Sequence, residues 1–157
     1  MMSSFVLRVT TKAQFLIIMA IGVSLGAYNS LDPASKKDLD WLQGTWKLVS
    51  AMRDGGALPE DEVKKTTIVI KDDTFLFPEL ADDATSKQGT IRLDATKNPK
   101  QMDTISTKKE VMLGIYELDG DHYKVCFAPT GKPRPSELAS KPGSGNLLQI
   151  WKRKKKQ

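Results

Sequence analysis

The sequence predicts an all-β fold: an eight-stranded antiparallel up-and-down barrel with a short N-terminal helix, preceded by a signal peptide. Three observations predict it. Short segments in which apolar and polar residues alternate recur eight times after residue 44. Most of the turns between them are short and rich in Gly, Asp and Pro, which suits antiparallel neighbours. Closing such a sheet removes its exposed edges, so a barrel is favoured over an open sheet.

The first 27 residues form a predicted signal peptide. Arg8 and Lys12 precede an apolar run, Phe15–Ala27, that is too short to span a bilayer comfortably. The small residues Gly26 and Ala27 then mark a cleavage site. We expect a secreted or periplasmic protein, the alternative being a membrane anchor formed by an uncleaved N-terminal segment. The predicted organisation is signal peptide 1–27, linker 28–34, barrel 35–152 and basic tail 153–157.

A short helix is predicted directly before the first strand. Ser35 is the expected N-cap, with Asp38 three residues later in the capping position. Leu39 and Leu42 then share one helical face, and Gly44 ends the helix.

Eight strands follow, and an Asp-Gly turn between the sixth and seventh gives the strongest hairpin signal. On the first strand, simple alternation places Trp46, Leu48, Ser50 and Met52 on one face. The segment 54–65 is predicted to be a polar loop. The predicted strands are Thr45–Met52, Thr66–Lys71, Thr74–Pro78, Gly89–Leu93, Gln101–Thr107, Val111–Leu118, His122–Ala128 and Asn146–Lys152.

An eight-stranded barrel has an interior that side chains fill or that holds one small ligand. The predicted inward residues are Trp46, Leu48, Ile68, Ile70, Phe75, Phe77, Ile91, Leu93, Tyr116, Leu118, Tyr123, Val125, Phe127 and Ile150. If the barrel is hollow, the predicted ligand-binding residues are Trp46, Leu48, Ile70, Phe75, Phe77, Tyr116, Tyr123 and Phe127. Either Tyr116 or Tyr123 would offer a hydroxyl.

Gly44-Thr45-Trp46 at the start of a first strand resembles the G-x-W signature of the lipocalin superfamily. The resemblance implies that Trp46 packs across the closed end of the barrel. It also implies that a basic residue near the end of the last strand, Lys152 or Arg153, lies against its ring. The T-D-Y signature of that superfamily is absent.

Four stretches together resemble an uncharacterised, lipocalin-like small domain family expanded in planctomycete bacteria. The resemblance spans roughly Asp38 to Arg153 and implies an exported β-barrel, with no established activity to carry over. The stretches are Leu42–Lys65, Gly89–Asp103, Leu113–Pro135 and Lys141–Arg153.

No catalytic constellation is visible in the sequence. His122 and Cys126 are single residues of their kind, which leaves no triad and no intramolecular disulfide. The acidic clusters in the loops lack an EF-hand pattern. We therefore expect no enzyme activity, no catalytic residues, no metal and no cofactor, and a monomer that does not bind nucleic acid.

Two basic features are candidates for anion contact. The last positions of the chain, Lys152–Lys156, carry much of the positive charge and could touch an anionic surface weakly. Arg134, stiffened by Pro133 and Pro135 in the loop Pro129–Gly145, could contact an anionic group. The alternative for this loop is that it covers one end of the barrel.

Two functions remain open on this basis. The first is an exported lipocalin-like barrel that binds a small apolar or amphipathic ligand. The alternative is a filled barrel that serves as an interaction or structural module of the cell envelope, acting through its loops and basic tail. An apolar void of about 300 Å³ or more would support the first function.

Overall fold

The computed structural model describes residues 31–155. The predicted signal peptide, the start of the predicted linker and the last two residues of the basic tail lie outside the described residues. Within 31–155 the chain forms nine strands and two helices. Their bounds are α1 Pro33–Leu42, β1 Gly44–Arg53, β2 Gly56–Ala57, α2 Glu60–Lys65, β3 Thr67–Lys71, β4 Thr74–Leu76, β5 Gln88–Asp94, β6 Lys100–Ser106, β7 Val111–Asp119, β8 His122–Phe127 and β9 Leu147–Arg153.

Eight of the strands form a closed antiparallel barrel. From β3 to β9 each strand pairs with the next along the chain, and β1 pairs with both β3 and β9. Trp46 thus lies opposite Ile68 on one side and Arg153 on the other. The two-residue β2 pairs with the end of β1 as a small hairpin at the rim. The prediction of an eight-stranded up-and-down barrel with a short N-terminal helix is confirmed.

Helix α1 begins three residues earlier than predicted. Asp32 is its N-cap, accepting a hydrogen bond from the Ser35 amide at 2.9 Å, and Pro33 follows in the first turn. The prediction of Ser35 as N-cap is wrong, because the Asp-Pro pair supplies a better start. The fully buried Ser35 hydroxyl instead accepts from the Ala95 amide of the barrel at 2.8 Å. Within residues 31–155 no helix is long and apolar enough to cross a membrane.

The segment 54–65 is more ordered than the predicted polar loop. It contains β2 and the short helix α2, which Val63 anchors by its burial. Acidic residues occupy the first turn of α2, and Lys64 and Lys65 occupy its last turn. This charge order complements the helix dipole and explains why so polar a segment is helical.

A β-bulge in β1 reverses the alternation of its second half. The pairing with β9 shifts between Leu48 and Ser50. As a result Val49 and Ser50 are exposed, whereas Ala51 is buried. The predicted shared face of Trp46, Leu48, Ser50 and Met52 is therefore wrong beyond Leu48.

In β9 the inward residue is Trp151, and the prediction of Ile150 as inward is wrong. Trp151 pairs with the inward Tyr123 and is 1% exposed. Ile150 pairs with the exposed Lys124 on the outer surface. The segment is apolar on both faces, so hydrophobicity alone does not determine which of its alternate residues face the barrel interior.

The long loop after β8 packs on the outer wall of the barrel. Ile115 and Cys126 face outward, yet they are 1% and 0% exposed, and the Cys126 thiol lies 3.3 Å from the Ala139 carbonyl oxygen. The Ser140 hydroxyl accepts from the Gly55 amide at 3.0 Å, which fastens the loop to the rim. The expectation that this loop covers a barrel end is wrong, because its contacts run along the wall.

Candidate functional site

One end of the barrel is closed by helix α1 and Trp46. The Trp46 indole is fully buried and donates to the Leu42 carbonyl oxygen at 2.8 Å. Its ring lies 5.2 Å from Trp41 and, edge on, 4.8 Å from Tyr123. Trp46 is therefore a residue that closes the end of the barrel, and it is not among the residues that line the cavity in the barrel interior.

Arg153 is the basic residue at this closure. Its guanidinium carbon lies 4.1 Å from the Trp46 ring centroid and 4.7 Å from that of Trp41. It donates to the carbonyl oxygens of Gln43, at 2.8 Å, and Trp41. Lys152 is the preceding residue of β9 and therefore lies on the opposite face of the strand. It is exposed on the outer surface, where it pairs with Lys47. Of the two basic candidates, the structure places Arg153 against Trp46.

Gly44 makes the sharp entry from α1 into β1 possible. Its φ of 116° is one that other residues rarely adopt. A Cβ at this position would lie 3.7 Å from the Arg153 guanidinium. The predicted closure residues Gly44, Trp46 and Arg153 are therefore brought together.

Tyr116 belongs to a buried polar network beneath α1. Its hydroxyl donates to the Asp38 carboxylate at 2.7 Å, and the Lys100 ammonium binds the same oxygen at 2.7 Å. Burial, and then the Asp38 hydrogen bond, raise the pKa of Tyr116. The Tyr116 hydroxyl therefore uses its proton in a hydrogen bond to helix α1 and cannot donate it to a ligand.

The opposite half of the barrel contains a cavity of about 260 Å³. It reaches the rim at the C-terminal end of β1 and the N-terminal end of β9, where Arg53 and Leu147 pair. Leu80, 38% exposed, lies at the same rim. The barrel is thus closed at one end and hollow toward the other.

Two inward glycines help to shape the cavity wall. A Cβ on Gly114 would lie 2.5 Å from the Phe127 ring, and one on Gly89 would lie 2.9 Å from the Phe75 ring. Both aromatic side chains therefore rest against bare backbone on the neighbouring strand. Space that these rings would otherwise occupy stays in the cavity.

The cavity is apolar with a small set of polar groups, none of which is acidic. The Trp151 Nε1 donor is buried with no hydrogen-bond partner in the described part of the chain. Burial alone raises the pKa of Tyr123 well above its usual value, so its hydroxyl stays neutral. Gln149 and Arg53 lie nearer the rim. Ser86 and Thr104 complete the set. Each of these groups can donate a hydrogen bond to a bound molecule, and the hydroxyls and the Gln149 amide can also accept one.

Five of the eight residues predicted to bind ligand line the cavity: Ile70, Phe75, Phe77, Tyr123 and Phe127. The other three, Trp46, Leu48 and Tyr116, lie outside its lining. Nine lining residues were predicted neither as ligand-binding nor as inward: Arg53, Leu80, Ser86, Met102, Thr104, Met112, Leu147, Gln149 and Trp151. The sequence carries no clear signal for Arg53, because apolar residues stand at both even and odd positions between Leu48 and Met52.

Arg134, predicted to contact an anionic group, forms an ion pair with Asp103 of the same chain. Its guanidinium contacts both carboxylate oxygens of Asp103, one of them at 3.1 Å, and the Gly114 carbonyl oxygen. This bidentate ion pair fixes the loop to the outer face of β6.

The basic tail is exposed at Lys152, Lys154 and Lys155, and Lys156 lies outside the described residues.

The described residues hold no group of three or more His, Cys, Asp or Glu side chains that could bind a metal. Burial raises the pKa of the Cys126 thiol, which lies beneath the loop after β8.

Comparison of the chain with family models, with curated proteins and with solved structures finds no match.

Proposed function

We propose that this protein is an exported, lipocalin-like barrel that binds one small apolar or amphipathic molecule in the cavity at its open end. The observation that supports the proposal best is the space of about 260 Å³ inside a closed sheet, lined mostly by apolar side chains. Its volume is somewhat below the roughly 300 Å³ expected of a ligand site, which restricts the proposal to small ligands. Apolar cavities with a few polar groups are typical ligand sites. The proposal assigns no catalytic step to any residue.

The size of the cavity limits the ligand. An apolar cavity of about 150 Å³ takes up benzene, so 260 Å³ accommodates about ten non-hydrogen atoms. Long-chain fatty acids and retinoids are larger than this. We expect a single aromatic ring with a short side chain, or a medium-length alkyl chain.

Energetics favour an occupied cavity. Apolar lining side chains that face water or empty space forgo hydrophobic burial worth about 25 cal/mol per Å². A ligand that fills the space recovers part of this. Gly89 and Gly114 maintain the space, since larger residues there would displace aromatic rings into it.

Toluene is a suitable first probe because it tests the cavity without any polar contact. The experiment measures the thermal midpoint and the NMR shifts of the protein with and without toluene. We expect toluene to raise the midpoint and to shift residues around the cavity. The variant Met112→Trp places a larger side chain among the lining residues and should abolish both effects.

A matched control lies one residue away. Val111 begins the same strand at the same end but is 38% exposed, so Val111→Trp should leave toluene binding intact. Failure of the unmodified protein to bind millimolar toluene would overturn the proposal and leave the interaction-module alternative. Equal binding by the Met112→Trp variant would place the probe elsewhere.

Export is the second part of the proposal and depends on residues 1–27, with their basic start and apolar run. N-terminal sequencing of protein from the secreted or periplasmic fraction tests it. A mature chain that begins near Tyr28 is the expected result. An intact Met1 in a membrane fraction would instead support the uncleaved anchor.

A further inference from the structure

We propose that the ligand is a small carboxylic acid, with its apolar body in the cavity and its carboxylate at the rim against Arg53. This inference rests on the proposed function, because it specifies the chemical class of the molecule that the cavity takes. Its basis is the position of one guanidinium and the character of the polar groups around it.

The bulge in β1 directs Arg53 toward the cavity. Strict alternation from Trp46 and Leu48 would put residue 53 on the outer surface. The extra residue between Leu48 and Ser50 reverses the phase, so Arg53 shares the inner face with Ala51 and lines the cavity. A one-residue irregularity therefore supplies the cavity rim with a positive charge.

The Arg53 guanidinium is available to a ligand. Among the described residues no ion pair joins it to a carboxylate. The acid beside it in sequence, Asp54, accepts instead from the Gly145 amide at 2.8 Å. Two other arginines are used by the fold, since Arg134 binds Asp103 and Arg153 binds backbone carbonyl oxygens.

Gln149 lies within reach of the same head group. Leu147 is directly opposite Arg53, and Gln149 is two residues further along the same inner face of β9. Diagonal neighbours of this kind are about 7–8 Å apart, a separation that long side chains bridge. A carboxylate at the rim can therefore accept from the guanidinium with one oxygen and from the Gln149 amide with the other.

The deeper polar groups select against a cationic ligand. The unpartnered Trp151 Nε1 can donate and cannot accept, and the Tyr123 hydroxyl stays neutral. No Asp or Glu lines the cavity within the described residues. An ammonium group would find neutral hydroxyl and amide acceptors but no counter-charge in this lining, whereas a carboxylate finds the Arg53 guanidinium.

A single charge is expected on the ligand. Lys87, which holds the loop carrying Leu80, already pairs with Asp82. Arg53 is therefore the positively charged residue of the cavity lining, and it can balance one negative charge on the ligand. Its planar guanidinium matches the geometry of a carboxylate.

Three probes with one body separate these possibilities: 3-phenylpropionate, 3-phenylpropan-1-ol and 3-phenylpropylammonium, titrated calorimetrically into the full chain near neutral pH. We expect the acid to bind most tightly and the ammonium least. In Arg53→Gln, affinity for the acid should fall about tenfold to hundredfold, as loss of a charge-assisted hydrogen bond predicts. Affinity for the alcohol should stay within about twofold, which also shows that the variant is folded.

Arg92→Gln is the matched control. It removes one positive charge from an exposed position on the outer face of β5, so binding of all three probes should be unchanged. Equal affinity for acid and alcohol, with no effect of Arg53→Gln, would overturn the carboxylate inference and leave the cavity intact. Failure of all three probes would overturn the proposed function itself.

Discussion

The Arg153 guanidinium carbon lies 4.1 Å from the centroid of the Trp46 ring, and the same group binds two carbonyl oxygens at the end of helix α1. One side chain of the last strand thus holds the first strand and the helix together. A cation over a buried aromatic ring is worth up to about 2 kcal/mol, and hydrogen bonds from a charged donor add to this.

We therefore expect Arg153→Gln to lower the free energy of unfolding by about 2–4 kcal/mol, because both kinds of contact are lost. Urea denaturation followed by tryptophan fluorescence measures the change. Lys152→Gln, one residue away on the exposed surface, should alter it by less than about 0.5 kcal/mol. Equal effects of the two substitutions would contradict the role assigned to Arg153.

The network beneath α1 predicts a second stability change. Asp38→Asn removes the charge that accepts from the Tyr116 hydroxyl and pairs with Lys100. Because the Asp38 side chain is largely buried, we expect a loss of about 1–3 kcal/mol in unfolding free energy. Asp40→Asn, whose pair with Lys36 is exposed, is the control and should cost almost nothing. A comparable loss in both variants would argue against a special role for the buried carboxylate.

Alkaline pH should destabilise the protein through its buried tyrosines. Both Tyr116 and Tyr123 have a pKa raised above the ordinary value of 10.0. Above about pH 10 the unfolded chain therefore loses protons that the folded chain keeps, and stability falls as pH rises. Each tyrosine contributes a slope of about 1.4 kcal/mol per pH unit.

Denaturation curves between pH 8 and 11.5 measure this slope, and the rise of tyrosinate absorbance should coincide with unfolding. The difference between the parent and Tyr116→Phe isolates one of the two groups and should remove about half of their combined slope. Tyrosinate that appears well before unfolding would show that these hydroxyls are accessible.

Gly114→Ala should affect both stability and cavity. Its Cβ would lie 2.5 Å from the Phe127 ring and 2.8 Å from the Met102 carbonyl oxygen, so the ring must move into the open space. We expect a loss of about 1–3 kcal/mol in unfolding free energy and weaker toluene binding. Gly56→Ala is the control, since its Cβ would meet its nearest neighbour at 3.6 Å. Undiminished toluene binding by Gly114→Ala would show that Phe127 does not border the site.

The pair between Arg134 and Asp103 predicts how the outer loop behaves. Arg134→Gln should free the loop from the wall of β6, and limited proteolysis within 129–146 should become faster. Toluene binding should be unchanged, because the loop packs outside the barrel. If Arg134 instead serves an external anion, the substitution will leave proteolysis unaltered.

Most strands were predictable because the buried face of each is marked by regular alternation. The hairpin of β7 and β8 is an example: the Asp-Gly turn and the alternating Tyr123, Val125 and Phe127 fix its register. Prediction failed where both faces carry apolar residues, as at Ile150 and Trp151. It failed again at the bulge in β1, where local backbone geometry overrides the alternation beyond Leu48.

The candidate site was only half predictable for the same reason. Aromatic residues on regular strands, such as Phe75 and Tyr123, were correctly directed inward. The inward position of Arg53 depends on the bulge in β1. The inward position of Trp151 depends on which face of β9 is buried, and the sequence is apolar on both faces of this strand. The cavity itself depends on two glycines lying opposite phenylalanines, a relation between strands that a linear pattern does not reveal.

The seam between β1 and β9 has a consequence for how the molecule folds. Its contacts join residues separated by most of the barrel sequence, as Trp46 and Arg153 illustrate, so ordering it carries a large loop-closure entropy. The barrel cannot close until β9 has been synthesised and has emerged from the ribosome. Until then the edges of β1 and β8 remain unpaired and can recruit other chains. A chain truncated before Leu147 should therefore aggregate, and closure should be the last and slowest step of folding.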